Sequence, residues 1–164
     1  MALTQIKSSN ILDGTIAHDD LGAGVGAGKV LQVVQATGTT YEQTTSSSYI
    51  NWSYSNVSIT PSSTSSKILV FLEANVMPWE NSAADAQQRM KLYRGGSAIS
   101  REFVTRIYAY DGTGHELDTT AVINYLDSPA TTSSIEYQLY YKMQSTGDRA
   151  AIQSASITLM EISA

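Results

Sequence analysis

Residues 59–76 read Ile-Thr-Pro-Ser-Ser-Thr-Ser-Ser-Lys-Ile-Leu-Val-Phe-Leu-Glu-Ala-Asn-Val, a small polar turn followed by the most apolar run in the chain. Pro61 lacks a backbone N–H and the serines after it favour turns, so the first half predicts a loop. The continuous apolar run Ile68–Leu72 predicts a strand that is covered on both faces. Glu73–Val76 then alternates polar and apolar residues, so one face there meets solvent or a neighbouring subunit. We therefore expect Lys67–Val76 to be a central strand of an all-β domain.

The composition agrees with this fold class. Of 164 residues only 15% are charged, well below the usual quarter or so, and Ser, Thr and Tyr are abundant, as in sheets with wet outer faces. One domain with a proper core is expected at this length. The net charge is −5 and the 10 basic residues are scattered, which argues against a nucleic-acid partner. Cysteine is absent, so disulfides and zinc–thiolate sites are excluded.

Residues 29–164 contain a succession of β-forming runs separated by turn residues. These runs predict strands at Lys29–Thr37, Thr39–Thr45, Tyr49–Thr60 with a break near Ser55-Asn56, Lys67–Val76, Gln87–Tyr93, Ala98–Tyr110, Thr119–Leu126, Ser134–Gln144 and Ala155–Ile162. Arg94-Gly95-Gly96-Ser97 predicts a hairpin turn. For Glu80–Gln88 a short helix and a loop are equally compatible with the sequence. Strands at this spacing predict a two-sheet β-sandwich, and a jelly roll in particular, as the knob of the molecule.

Residues 1–28 differ from the rest of the chain and predict an extended N-terminal arm with a glycine-rich hinge. Large aliphatic residues recur every five positions, a spacing that fits neither a helix nor a strand: Ile6, Ile11, Ile16 and Leu21. One copy of this segment cannot shield four isolated aliphatics from water, but three copies around an axis can. We expect a docking or trimerising arm; the alternative is a disordered tail with chance spacing.

The glycine-rich stretch Gly22–Gly28 partly matches the dinucleotide-binding fingerprint. That fingerprint requires a strand before it and a helix after it, whereas a turn-rich arm precedes here and a β-run follows. We therefore expect a hinge and no cofactor. The sequence also lacks a secretion signal and an apolar segment of membrane-spanning length, so we expect a soluble protein with no membrane insertion.

The chain offers few residues for catalysis or metal binding. Of its two histidines, His18 lies in the arm and His115 in a loop punctuated by glycine. That loop is a candidate contact loop that carries Asp111, His115, Glu116 and Asp118. Oxygen and nitrogen side chains of these types can bind a metal ion, but their spacing is not that of a calcium-binding loop. A solvated acidic loop is the ordinary interpretation. Glycoside cleavage requires two carboxylates on either side of a groove. The sequence contains candidates for such a pair, namely Glu73, Glu80, Asp85 and Glu102, but nothing in it places any two of them together. We expect no catalytic residue and no metal site.

Tyrosine is the remaining signal, with 10 copies. Tyr137 and Tyr141 share one face of a predicted strand, and Tyr140 lies on the opposite face. Tyr108 and Tyr110 share a face in the same way. Tyrosine commonly fills sandwich cores and subunit seams, but an exposed aromatic face can also stack on sugar rings. The sequence leaves both roles open.

Three segments carry a resemblance to a known family. Ala2-Leu-Thr-Gln-Ile-Lys-Ser-Ser-Asn-Ile-Leu-Asp-Gly-Thr-Ile16, Lys29-Val-Leu-Gln-Val-Val-Gln35 and Ile59-Thr-Pro-Ser-Ser-Thr-Ser-Ser-Lys-Ile-Leu-Val70 keep their order and spacing. In these segments the chain resembles small virion structural proteins of tailed bacteriophages, particularly aquatic ones. The later strands fit the same β-body but are less distinctive.

The resemblance implies a non-enzymatic protein of the virion, assembled in the host cytoplasm. Such proteins typically form homotrimers on the particle surface, as fibre tips or as head-decorating proteins. We expect a fibre-type protein whose residues 1–28 bind other virion proteins and whose knob meets a host surface glycan or receptor. A capsid decoration protein is the first alternative. A free carbohydrate-binding module is the second, although such a module would have no use for the arm.

Overall fold

The computed structural model describes residues 28–81, 85–108, 114–144 and 148–164, and all regular elements in these ranges are β-strands. In chain order they are β1 (Val30–Gly38), β2 (Glu42–Thr44), β3 (Ile50–Ile59), β4 (Lys67–Val76), β5 (Trp79–Glu80), β6 (Ala86–Arg94), β7 (Ser97–Ala98), β8 (Phe103–Ile107), β9 (His115–Glu116), β10 (Thr119–Asp127), β11 (Ile135–Met143) and β12 (Ala150–Ile162). No helix in the described ranges is long and apolar enough to cross a membrane.

Two antiparallel sheets form a sandwich. The first sheet has the order β1-β12-β4-β10, with β2 also paired to β12. The second has the order β3-β11-β6, and β7 and β8 pair side by side along the remaining edge of β6. The long strands pair in a nested way, first with last and inwards from there: β1 with β12, β3 with β11, β4 with β10, and β6 with β8. This nesting, divided between two sheets, is the topology of a jelly roll, which confirms the predicted fold class.

The core lies between the two sheets and is filled by alternate residues of each strand. Its largest fully buried side chains are Trp52, Tyr137, Tyr141, Ile68, Leu72, Met90, Leu92, Ile123, Leu139, Met143, Ile152 and Ile157. The prediction that Tyr137 and Tyr141 share a strand face is confirmed, and that face is the interior. Tyr140 points the other way and is only half-buried.

Strand β4 has the predicted bounds and lies in the middle of the first sheet, between β12 and β10. Ile68 and Leu72 point into the core, as expected. The expectation that both faces of this half of the strand are covered is not met by the described residues. Leu69 is half-buried and Phe71 is 39% exposed, both on the outer face of the sheet. The continuous apolar run therefore supplies one core face and one apolar outer face.

The predicted turn is confirmed, whereas the break predicted near Ser55-Asn56 is a register shift within one continuous strand, β3. Gly95 and Gly96 have φ values of 53° and 80°, which lie in the left-handed region, and they join β6 to β7 as a tight hairpin. The register between β3 and β11 shifts between the pairs Leu139–Trp52 and Tyr137–Val57, because β3 carries extra residues around Ser55-Asn56 there.

One predicted strand does not exist as a single element, and one open alternative is excluded. The run Ala98–Tyr110 is not one strand, because the chain leaves β6 after Ala98 and returns as β8 further along the same edge. The backbone N–H groups of Ile99 and Ser100 both donate to the carbonyl of Leu92 where the chain turns away. The helix alternative for Glu80–Gln88 is excluded at both ends, since Glu80 belongs to β5 and residues 86–88 begin β6.

Candidate assembly and ligand-binding faces

The outer face of the first sheet carries an apolar row that crosses all four long strands. Val33 on β1 lies opposite Met160 on β12, which lies opposite Leu69 on β4. Leu69 in turn lies opposite Leu126 on β10. Val33 and Leu126 are 54% and 52% exposed. A contiguous apolar row of this kind on a sheet surface marks an interaction site more often than scattered single residues do.

Two further residues extend this row along the sheet. Phe71 lies two positions beyond Leu69 on β4, and Val122 on β10 is the most exposed large apolar side chain of the described residues. A shallow depression of about 220 Å³ lies beside them, lined also by Gln35 and Thr158. We call the outward side chains of Val33, Leu69, Phe71, Val122, Leu126 and Met160 the apolar face.

The N-terminal segment joins the body at the start of β1, close to the end of the sheet that carries Val33 and Met160. Gly28 N–H donates to the carbonyl of Ser163 at 3.0 Å, and Ser163 N–H donates to the carbonyl of Lys29 at 2.9 Å. Strand β1 then begins with Val30 and Leu31, both exposed. Residues 1–27, with the predicted docking residues Ile6, Ile11, Ile16 and Leu21, lie outside the described residues. The chain nevertheless reaches the apolar face within a few residues of this junction.

The outer face of the second sheet has a different chemistry. Alternate residues of β6 place Arg89, Lys91 and Tyr93 on it, and β11 adds Tyr140 and Lys142. The register brings these strands together, with Tyr140 opposite Lys91 and Lys142 opposite Arg89. Tyr49, just before β3, completes the cluster. We call Tyr49, Arg89, Lys91, Tyr93, Tyr140 and Lys142 the aromatic–basic face.

The rings of this face are in contact. Tyr93 and Tyr140 are stacked, with centroids 3.9 Å apart and planes 18° apart, and Tyr49 lies tilted 6.3 Å from Tyr93. The ammonium groups of Lys91 and Lys142 lie 5.0 and 4.9 Å from the centroid of the Tyr49 ring. Such cation–π contacts hold each lysine head near the aromatic cluster.

Glu102 anchors one side of the cluster. Its carboxylate accepts a hydrogen bond from Tyr49 Oη at 2.7 Å and forms an ion pair with Arg89. The hydrogen bond from Tyr49, together with Arg89 and the nearby Lys142, lowers the pKa of Glu102 although burial opposes the shift. Burial and the bond to Glu102 raise the pKa of Tyr49 above its ordinary value. Glu102 is therefore ionised and Tyr49 neutral at physiological pH.

The candidate contact loop is only partly within the described residues. Asp111 lies outside them, while His115 and Glu116 form β9, which pairs with β5. Glu116 is engaged by Arg149 at 2.6 Å and Asp118 is exposed. The described ranges contain no group of three or more His, Asp and Glu side chains placed to hold a metal ion. His18 lies outside the described residues.

Sequence reasoning did not identify the aromatic–basic face as a cluster. The alternation of Arg89, Lys91 and Tyr93 at spacing two was visible, as was the pair Tyr140 and Lys142. Their convergence depends on the pairing of β6 with β11, which are more than 40 residues apart in the chain and whose register no local pattern reveals. Tyr49 joins them only through the separate pairing of β3 with β11.

No protein-family model matches the chain, and no curated protein matches it. Among solved structures it is similar to dimeric latent PorU from Porphyromonas gingivalis, with 12% identity, a TM-score of 0.43, and coverage of 84% of this chain and 14% of that one. It is also similar to the infectious bursal disease virus VP2 subviral particle, with 12% identity, a TM-score of 0.44, and coverage of 79% of this chain and 32% of that one. The T13 particle of infectious bursal disease virus is 11% identical to it, with a TM-score of 0.41 and coverage of 84% of this chain and 36% of that one. The chain thus spans little more than a third of these proteins at most, and likenesses this low carry no argument about function.

Proposed function

We propose that the protein is a non-enzymatic structural protein of a bacteriophage virion, a homotrimeric fibre-type surface protein anchored by its N-terminal arm. The observation that carries this proposal is the apolar face, a row of large aliphatic side chains that crosses a whole sheet without cover from the described residues. Full burial of an exposed side chain of this size contributes about 1.5–3 kcal/mol, and these half-exposed side chains each supply a part of it, so the row favours association. The sequence resemblance to phage virion proteins supplies the context of that association.

The point at which residues 1–27 join the described body supports the same proposal. Residues 1–27 join β1 at the edge of the sheet that carries the apolar face. In this proposal the apolar face of each subunit packs against its neighbours, and the arms dock to other virion proteins. Three arms that act together hold the trimer far more firmly than one arm would. The opposite side of the sandwich, with the aromatic–basic face, is then left outward.

A charge placed in the apolar row tests the assembly step. We expect light scattering to give a trimer mass for the full chain, and a monomer mass for the double variant Leu69→Asp/Leu126→Asp. The matched control is Val104→Asp, since Val104 is 49% exposed on the second sheet. A monomeric wild-type chain, or a double variant that still assembles, would overturn the proposal. Unchanged circular dichroism verifies that each variant is folded.

Particle association tests the virion role. We expect the full chain to co-sediment with purified phage particles, and a chain without residues 1–28 to be lost from them. Immunogold electron microscopy then separates the two virion positions, because label at the tail supports a fibre and label over the head supports a decoration protein. A chain that is monomeric and absent from particles yet binds sugars would instead be a free carbohydrate-binding module.

A further inference from the structure

We propose that the aromatic–basic face binds an acidic saccharide, a sugar chain that carries carboxylate groups. In this arrangement sugar rings lie against Tyr93 and Tyr140 while a carboxylate is held by Lys91 and Lys142. The proposal rests on the proposed function only for the location of the ligand, which would be a bacterial surface. Binding itself is a property of the isolated chain.

The charges of this face favour an anion. Three positive groups, Arg89, Lys91 and Lys142, face one carboxylate, Glu102, which is already engaged by Arg89 and Tyr49. In the described part of the chain, neither Lys91 nor Lys142 forms an ion pair. The face therefore has an excess of two positive charges on a chain whose net charge is −5. Charge complementarity of this kind selects an acidic ligand against a neutral one.

The tyrosines favour a saccharide. Stacking fixes the rings of Tyr93 and Tyr140, so they offer a rigid amphipathic surface whose ordering costs little entropy on binding. The C–H groups of a pyranose ring pack against such rings, and its hydroxyls require hydrogen-bonding groups nearby. Within the described ranges, the hydroxyls of Tyr93 and Tyr140 form no hydrogen bond with the protein. They can therefore donate to a sugar or accept from it.

Other acidic ligands fit this face less well. A peptide could not be added as a strand beside β6 or β11, which carry all of this face except Tyr49, because both are paired on both sides and strand addition needs a free edge. A nucleic acid carries a charge on every phosphate and is bound through a long track of basic residues. Two lysines that form no ion pair within the described residues, on an acidic protein, suit the sparser charge of a uronate or sialate.

The test is isothermal titration calorimetry of the full chain with two acidic saccharides and their neutral counterparts. The probes are tetragalacturonate against its methyl ester, and sialyllactose against lactose. We expect at least one acidic probe to bind roughly tenfold or more tightly than its neutral form. Preference for the uronate or for the sialate identifies the source of the carboxylate. Equal binding of acidic and neutral forms, or no binding of either acidic probe, would overturn the proposal.

Variants assign the binding to this face. We expect Lys91→Gln/Lys142→Gln to weaken the acidic probe roughly tenfold and to leave the neutral form unchanged, and Tyr140→Ala to weaken both. Lys67→Gln on the first sheet is the control, and Tyr140→Phe should retain most of the affinity. Unchanged binding by the double lysine variant, or tighter binding of a 15-nucleotide oligothymidylate than of either saccharide, would refute the assignment. A chain that binds the saccharide but is monomeric and absent from particles would refute the proposed function alone.

Discussion

The carboxylate of Asp127 joins the two sheets by accepting hydrogen bonds from Arg94 Nη1 at 2.8 and 2.7 Å. Asp127 ends β10 in the first sheet, and Arg94 ends β6 in the second. Tyr137 Oη donates to the same carboxylate at 2.6 Å, and both burial and this bond raise the pKa of Tyr137. Desolvation opposes the charge on Arg94, but Asp127 outweighs it and the pKa of Arg94 rises.

This relationship predicts a large loss of stability on removal of the acid. Asp127→Ala leaves the Tyr137 hydroxyl and the Arg94 guanidinium without their partner, and we expect the free energy of unfolding to fall by about 3 kcal/mol. Urea unfolding at pH 7 measures this change. Asp118→Ala, at an exposed acid, is the control and should differ from wild type by less than about 0.5 kcal/mol. Equal stability of the two variants would show that the link between the sheets contributes little.

Glu161 predicts an acid-dependent stability. It is fully buried at the end of β12 and accepts hydrogen bonds from Ser62 N–H at 2.7 Å, Ser62 Oγ at 2.6 Å and Gln32 Nε2 at 2.6 Å. Burial alone would raise the pKa of Glu161, but these hydrogen bonds outweigh it and lower the pKa to about 2.

A lowered pKa stabilises the folded state above the unfolded value of 4.5, and this contribution is lost as the pH falls towards 2. It amounts to about 3 kcal/mol at most. We therefore expect Glu161→Gln to lower the free energy of unfolding at pH 7 and to flatten its dependence on pH between 5 and 2. Urea titrations at several pH values measure this slope, with Glu73→Gln as the exposed control. Parallel pH profiles for Glu161→Gln and wild type would contradict the prediction.

Gly38 predicts a steric effect where β1 passes over β3. A Cβ atom at this position would lie 2.6 Å from Tyr54 Cβ, 2.7 Å from the Tyr54 carbonyl oxygen and 2.8 Å from the Trp52 ring. The backbone must shift to relieve such contacts, so we expect Gly38→Ala to destabilise the fold by roughly 1–3 kcal/mol. Thermal unfolding measures the loss, and Thr37→Ala on the exposed side of β1 is the control. A melting temperature for Gly38→Ala at or above that of wild type would refute the close approach.

Ala130 predicts a gain in stability. Its φ of 52° lies in the left-handed region, which costs an alanine roughly 1–2 kcal/mol. Glycine adopts this conformation freely but has more entropy in the unfolded chain, so we expect Ala130→Gly to gain about 0.5–1 kcal/mol. Ala98→Gly, in a strand with ordinary φ, should lose a similar amount instead. Chemical unfolding of both variants measures the change in the free energy of unfolding. A loss of stability at both positions would contradict the strained turn.

The sequence was sufficient for the strands whose boundaries are chemically marked. Lys67–Val76 has its predicted bounds because Pro61 and the serines after it separate it from β3. The hairpin turn at Gly95-Gly96 was also predicted correctly, because two consecutive glycines favour such a turn. The end of β7 was missed because residues 99–102 contain neither glycine nor proline. Strand β12 begins five residues before its prediction, because Ala150 and Ala151 are weak strand formers that tertiary burial holds in place.

The two candidate faces could be predicted only in part. Alternation told which residues of a strand share a face, as for Tyr140 and Lys142. It could not tell whether the outer face of β4 is covered, since Leu69 and Phe71 resemble core residues in sequence. The sequence could not show that these residues form two continuous surfaces. Each surface depends on the pairing register of strands that are far apart in the chain, and no local pattern reveals that register. The roles of Ile6, Ile11, Ile16 and Leu21 remain predictions for the assembly experiments.

The nested pairing has a consequence for the order of folding. Its innermost pair, β6 and β8, closes over a short connection, whereas Lys29 and Ser163 meet across 134 positions of chain. Loop closure over such a span is slow, and sandwiches of this kind reach the native state in milliseconds to seconds. During that interval the edge of β4 that later pairs with β12 stays open to other chains. Packing of one subunit against another is therefore favoured only after the outermost strands have closed.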